Sequence, residues 1–323
     1  MSFWKKKKVL VTGGAGFIGS YLTELLVAAG AKVTVADNLL RGSKSRLQSV
    51  IKKVTLKTGD LTDYSYCLKA CRGQEVVLNL AAKVTGIEYN RFNMADMFEN
   101  NMRLQMNVLQ AASQSKVSRF LQVSTACIYP HDAKVPTPES EGGRGEPEPT
   151  NEGYGLAKLM GEKLALYYAR EKKMQVVMGR PFNAYGPRDH FDEATSHVIP
   201  ALMKRILDGD DPVVIWGTGN QSRAFVHARD LARGMMLIAE KAPVAQPINI
   251  GHDHEITIKE LFRVMCQVIG KRPQVKYDTT KPDGYARRSA DVSLLRKTTG
   301  FVPSISLEEG LKEMLVWFRS RLQ

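Results

Sequence analysis

Val9-Leu10-Val11-Thr12-Gly13-Gly14-Ala15-Gly16-Phe17-Ile18-Gly19 is the stretch on which the fold turns. Residues 9–11 read as a short buried strand, and glycines interrupt it at once. Gly13 suits a tight turn, Gly16 a close backbone approach to a pyrophosphate, and Gly19 close packing of helix on strand. A helix that opens there aims its N-terminal N–H groups at the phosphates. A glycine loop alone is weak. Here it follows a strand, opens a helix and is answered by an acid at the end of the second strand, Asp37, 18 residues after Gly19.

A carboxylate at that place accepts hydrogen bonds from the adenosine ribose and repels a 2′-phosphate. This favours NAD, with NADP as the alternative because Arg41 is close by. Phe17, Ile18 and Asn38 are expected to flank the cofactor. Asp60-Leu61 falls by the adenine, and Ala81-Ala82-Lys83 by the nicotinamide.

Outward from the loop, apolar β-type runs alternate with helical ones. Strands are expected at 9–11, 32–36, 54–57, 76–80, 119–123 and 175–178, and helices at 19–29, 64–71, 95–115 and 152–171. Repeated βα units with apolar strands imply an α/β protein: a Rossmann-type doubly wound parallel sheet with helices on both faces. The Pro-, Gly- and Glu-rich segment 136–149 reads as a loop inside that sheet. After Gly179-Arg180-Pro181 the pattern loosens, with one isolated helix at 197–207. The expected division is a dinucleotide-binding domain over 1–180, joined by about 224–251, and a smaller C-terminal α/β substrate domain from the remainder of 181–323.

No run approaches the ~18 apolar residues of a membrane span, and Lys5-Lys6-Lys7-Lys8 reads as a solvated lead-in to the first strand. The formal net charge of +13 favours anionic ligands. Lys and Arg are spread without a nucleic-acid motif, so neither nucleic acid nor membrane is an expected partner. The four cysteines, Cys67, Cys71, Cys127 and Cys266, make no metal-type pairs and are too sparse for a disulfide framework. A reducing cytoplasm and no metal are the expectation.

Tyr154 and Lys158 stand four apart in a helix and share a face. An ammonium beside a phenol is expected to draw the phenol's pKa down from about 10. Tyr154 then becomes the acid or base of a carbinol–ketone interconversion. With Thr125 upstream, these residues complete a hydride-transfer site and leave Cys127 without a task. A thiol at such a site has one in removing a proton from carbon.

At these residues the chain resembles the extended short-chain dehydrogenase/reductase family, specifically its nucleotide-sugar epimerases. Thr125 takes the place usually held by serine, and Ala126-Cys127 stand where 4,6-dehydratases carry Asp-Glu, which speaks against dehydration. Two branches are similar in more detail. The GDP-L-fucose synthase branch matches Ala81-Ala82-Lys83-Val84, Cys127-Ile128-Tyr129-Pro130, Pro149-Thr150-Asn151-Glu152, the stretch from Ser196 to Leu202, and Lys281-Pro282-Asp283-Gly284. The GDP-mannose 3,5-epimerase branch matches around Cys127 and in the glycine loop.

The resemblance implies a GDP-linked nucleotide-diphosphate sugar and α-proton exchange at C3 and C5 beside a C4 ketone. Cys127 would act on one face of the ring and His197 on the other. It implies substrate contacts at Asn183, Arg205, Arg223 and Lys281, and a homodimer formed through the helices at 95–115 and 152–171. The Cys–His pair points to the synthase, which consumes NADPH. Asp37 tips the cofactor reading toward retained NAD and the redox-neutral 3,5-epimerase. A UDP-sugar 4-epimerase, needing only Thr125, Tyr154 and Lys158, is the alternative enzyme. A non-catalytic redox-sensing or RNA-binding protein on this fold is the alternative of another class.

Overall fold

The computed structural model describes residues 2–191, 196–281 and 284–320. The first strand, β1 (Lys8–Thr12), alternates as a strand buried on both sides must. Val9 and Val11 pack in one apolar cluster, and Leu10 in another. The same division runs across β2 (Lys32–Asp37), β3 (Val54–Thr58), β4 (Val76–Asn79), β5 (Arg119–Val123) and β6 (Gln175–Pro181). One face gathers Val33, Val35, Val76, Leu78, Leu121 and Val177, and the other Ala36, Val77, Phe120, Val176 and Met178.

Each face is covered by helices. α1 (Phe17–Ala28) lies on one; α2 (Tyr64–Cys71), α4 (Met94–Gln114) and α5 (Glu152–Glu171) lie on the other, with short α3 (Ile87–Phe92) leading into α4. Past β6 come β7 (Ala184–Tyr185), α6 (Val198–Asp208), β8 (Val213–Trp216), β9 (Ser222–Ala224), β10 (Val226–His227), α7 (Ala228–Lys241) and β11 (Pro247–Ile250). Then follow β12 (Glu255–Thr257), α8 (Ile258–Ile269), β13 (Val275–Asp278), β14 (Arg287–Arg288), α9 (Ser293–Thr299) and α10 (Leu307–Arg319).

The parallel sheet has the order β11-β6-β5-β4-β1-β2-β3. The chain moves outward from β1 to β3, then returns to β4 on the other side. The crevice at the carboxyl ends of β1 and β4 is therefore the topological switch point, where open α/β sheets bind ligands. Strand β11 pairs with β6, and α7 packs on α1, so a late segment completes the early sheet.

The remainder holds its own cluster: Ile199, Leu202, Met203 and Ile206 of α6, with Leu261 and Met265 of α8 and Leu311 and Met314 of α10. Small sheets β12-β9-β14 and β13-β8 flank it. Here the structure is richer in helices than the single one expected past residue 180. Thr257 with Glu260 and Ser306 with Glu309 form capping boxes that start α8 and α10. None of the helices is long and apolar enough to cross a membrane among the described residues.

A buried polar chain ties the sheet to α4 and α5. Thr12 Oγ1 donates to Asn79 Oδ1 (2.7 Å), Asn79 Nδ2 to Gln122 Oε1 (3.2 Å), and Gln122 Nε2 to Gln105 Oε1 (2.6 Å). Gln105 Nε2 donates in turn to the Ala157 carbonyl (3.0 Å), next to Lys158. Gly161 makes room for it, since a Cβ there would lie 2.2 Å from Gln105 Oε1. One turn past Lys158, Glu162 meets Arg180 in a buried two-pronged ion pair of 2.7 and 2.9 Å.

Candidate active site

The switch-point crevice starts with the glycine loop. Gly13 has φ +67°, and a Cβ there would stand 3.1 Å from the Ala81 backbone; one on Gly19 would stand 2.1 Å from the Gly13 carbonyl. Helix α1 opens after Gly16 with no side chain capping it. Its first N–H groups and the positive end of its dipole face a cradle free of side chains, which suits a pyrophosphate.

Asp37 is buried beside the loop, accepting from Ala15 N (3.0 Å) and Leu39 N (2.9 Å). Each carboxylate oxygen has a second lone pair for a ribose hydroxyl. Asn38 accepts from Leu40 N at 3.1 Å, and Asp60 from Thr62 N at 2.8 Å. Leu61 is buried and its carbonyl takes Asn107 Nδ2 (3.1 Å). Ala81 N donates to Thr12 Oγ1 (3.1 Å), so β4 leaves the sheet against the loop; Ala82 follows, partly buried. Lys83 turns its ammonium to Asp96 (2.5 Å), whose hydrogen bond raises the lysine's pKa. Arg41 spans the groove, with Nε 3.3 Å from His190 Nε2 and a hydrogen bond to the Val84 carbonyl. The residues present therefore fit a dinucleotide.

Strand β5 delivers Ser124-Thr125 to the crevice. Thr125 accepts from Cys127 N (3.2 Å), which starts a short 3-10 turn, and its hydroxyl lies near enough to the Tyr154 hydroxyl to favour the phenolate. Lys158 is fully buried with its ammonium 5.9 Å from the Tyr154 ring centre, donating to the Val123 carbonyl (3.0 Å). The expectation of a lowered tyrosine pKa is not met. Burial pushes Tyr154 up, the neighbouring Cys127 adds to the rise, and the Thr125 hydrogen bond only offsets part of it. Burial also pulls Lys158 down to about 8, against an opposing pull from Glu162. The reason is solvent exclusion, which penalises both charged forms more than the spacing on one helix face favours them.

Cys127 lies at the other side of Thr125, and its sulfur accepts a hydrogen bond from Arg288 Nη2 (3.4 Å). The remaining cysteines, Cys67, Cys71 and Cys266, are buried. Arg288 is held by its own strand: Asn183 Nδ2 donates to its carbonyl (3.2 Å) and to that of Ala224 (2.9 Å). In the β14–β9 pairing Arg288 sits in register with Arg223, whose Nη1 donates to the Tyr285 carbonyl (2.6 Å). The two arginines are thus cross-strand neighbours.

His197 is the N-cap of α6, and its Nδ1 lies 3.1 Å from Asp189 Oδ2. That carboxylate raises the imidazole's pKa, against the charges of Arg41 and Arg288. Arg288 thus donates to the Cys127 sulfur, and its charge weakly opposes protonation of His197. Arg205 and Lys281 lie elsewhere. Arg205 Nη1 donates to the Val214 carbonyl (2.7 Å), while the Lys281 ammonium stands 5.9 Å over the ring of Trp216, which is 46% exposed. Pro282 and Asp283 of the same motif lie outside the described residues.

Arg288, Asp189 and Trp216 were not read from the sequence. Asp189 had a signal, the short polar run Arg188-Asp189-His190 just ahead of His197. Arg288 had none, because 161 positions separate it from Cys127.

Residues 9–251 match the family model described as NAD dependent epimerase/dehydratase family. The chain belongs to the NAD dependent epimerase/dehydratase family. The matched residues begin in β1 and end just past β11, so they take in the whole central sheet. By family it is an NAD(P)-dependent nucleotide-sugar epimerase.

Relatives include a putative GDP-L-fucose synthase 2 of Arabidopsis thaliana, 35% identical over 97% of this chain and 92% of its own length. The GDP-L-fucose synthase of Escherichia coli is 39% identical over 74% of this chain and 78% of its own. Among solved structures, the UDP-glucose 4-epimerase of Thermotoga maritima, with UDP-glucose, superposes with a TM-score of 0.87. It is 29% identical and covers 98% of this chain and 99% of its own.

Proposed function

We propose that the chain is a GDP-sugar 3,5-epimerase–reductase acting on a 4-keto hexose. The observation that carries this reading is the Cys127 thiol beside Thr125 and Tyr154, accepting a hydrogen bond from Arg288. A 4-epimerase has no use for a second proton-exchanging pair. The GDP-L-fucose synthase relatives support the same choice, and they move the redox reading away from the redox-neutral epimerase that Asp37 favoured.

A C–H next to the C4 carbonyl is acidic because its carbanion delocalises as an enolate. Inversion needs one group to take that proton and another to return one on the opposite face, and Cys127 and His197 are that pair. Thr125 and Tyr154 hold the C4 oxygen, with Tyr154 donating or taking its proton. Lys158 orients Tyr154 and the ribose of the nicotinamide. The bound nicotinamide supplies the hydride at C4. Arg223 and Arg288 neutralise the diphosphate, Asn183 acts by fixing the Arg288 strand, and Arg205, Lys281 and the face of Trp216 serve the nucleoside end.

The proposed assembly is a cytoplasmic homodimer through α4 and α5, supported by the exposed Met106, Met160 and Tyr167 on those helices. The smaller C-terminal part is the proposed nucleotide-sugar domain. A substrate panel tests the reading. GDP-4-keto-6-deoxymannose should consume NADPH in one equivalent, while GDP-mannose and UDP-glucose should not. A second reading, a UDP-sugar 4-epimerase, is favoured by the likeness to the Thermotoga enzyme. It would prevail if UDP-sugars were turned over and Cys127→Ser kept full activity.

A further inference from the structure

We propose that Asp189 is the positioning residue of His197: it fixes which ring nitrogen faces the sugar and keeps that ring ready to carry a proton. This rests on the reading of His197 as a proton carrier, and it adds a residue to which no role has been given.

Asp189 ends the turn Gly186-Pro187-Arg188-Asp189, in which Gly186 and Arg188 both have positive φ, +145° and +73°. The turn pulls the Asp189 side chain inward, where it is 1% exposed. One oxygen accepts from His190 N at 2.8 Å, which sets the carboxylate plane, and the other faces His197 Nδ1 at 3.1 Å. The His197 side chain is 59% exposed, and among the described residues only its Nδ1 edge has a hydrogen-bond partner. An ionised carboxylate only accepts hydrogen bonds, so Nδ1 must carry the hydrogen. Nε2 is then left to face the substrate, as acceptor when the ring is neutral and as donor when it is charged.

The charges around this ring oppose one another. Arg41 from the loop after β2 and Arg288 from β14 disfavour the imidazolium, and Asp189 outweighs them. The adjacent His190, which faces Arg41 and Arg46, is shifted the other way, chiefly by burial. A tie that merely braced the turn would need neither a buried carboxylate nor an open second ring edge.

Nitrogen-detected NMR of histidine-labelled protein tests this, with His197→Gln assigning the signal. In the native chain His197 should be the Nδ1–H tautomer when neutral and titrate above 6.5. In Asp189→Asn the titration should move to lower pH, and the Nδ1–H preference should be lost, because the amide can donate to that nitrogen. Deuterium exchange at the sugar should fall by about 10- to 100-fold, with its alkaline limb moved to lower pH. Asp189→Glu should restore the tautomer and part of the rate.

An unchanged tautomer and titration in Asp189→Asn would overturn the proposal, whatever the activity. If that variant does not fold, a native His197 that titrates at or below 6.5 or prefers Nε2–H overturns it equally. The intended NMR result without turnover of any GDP-sugar would instead fault the functional reading and leave the dyad standing.

Discussion

Lys158, proposed to orient Tyr154, is also a residue whose burial costs stability. Its ammonium is buried and donates to one carbonyl, and its pKa is drawn down to about 8 from 10.5. A lysine whose folded pKa lies below its unfolded one costs stability, fully so below about pH 8, and the cost is relieved as pH rises from 8 to 10.5. Lys158→Met should therefore abolish turnover yet stabilise the chain at pH 7 by about 1–2 kcal/mol, read as a higher midpoint in urea. A lower midpoint at equal slope would contradict this.

Arg288→Met should leave the fold intact and lower kcat/KM by roughly 10- to 100-fold, because it removes both a donor to the Cys127 sulfur and a cation beside Arg223. Unchanged kcat/KM would remove Arg288 from the site. Residue type and local spacing singled out Cys127, Tyr154 and Lys158 for the roles proposed for them. The tyrosine's shift was not legible, since a periodicity tells which side chains share a face and nothing of how much water reaches them.

At the scale of elements, the glycine loop and α7 show what local sequence can and cannot fix. A methyl on Gly19 would meet a backbone carbonyl at 2.1 Å rather than a movable side chain. Gly19→Ala should weaken dinucleotide binding at least about 10-fold by calorimetry while leaving the far part of the molecule folded; native affinity would contradict that. The strand–glycine–helix order made this element readable from eleven residues.

Helix α7 was not readable. His227 caps it, its Nδ1 accepting from Arg229 N at 3.2 Å, whereas Ser, Thr, Asn or Asp is the usual signature. Burial, with Arg229 second, holds His227 down to about 4. The unfolded chain then binds the extra proton between pH 6.5 and 4, so stability falls as pH drops through that window, by on the order of 2–3 kcal/mol. His227→Asn keeps an acceptor for the cap and removes the titration. The loss of stability between pH 7 and pH 5 should shrink in this variant; an equal loss would assign it to other groups.

At the scale of the whole molecule, the parallel sheet was legible because buried strands carry unbroken apolar runs. The return of β11 to its edge falls in the stretch of about 224–251 expected to join the first domain, although no local periodicity marks it. The charge of +13 is matched in part by Arg41, Arg223 and Arg288 at the crevice proposed to take an anionic sugar nucleotide. The exposed Met106 and Tyr167 predict that light scattering at micromolar concentration gives twice 36.0 kDa, and that Met106→Glu gives the monomer. A native monomer would contradict the proposed pairing.

The central claim is that a thiol and an imidazole exchange protons on a sugar whose C4 is a ketone. Mass and NMR analysis of the GDP-sugar formed from GDP-4-keto-6-deoxymannose and NADPH in D2O tests it most directly. Solvent deuterium at both C3 and C5, lost from both in Cys127→Ser, is the result expected. Turnover that leaves C3 and C5 fully protonated in the native enzyme would contradict the account.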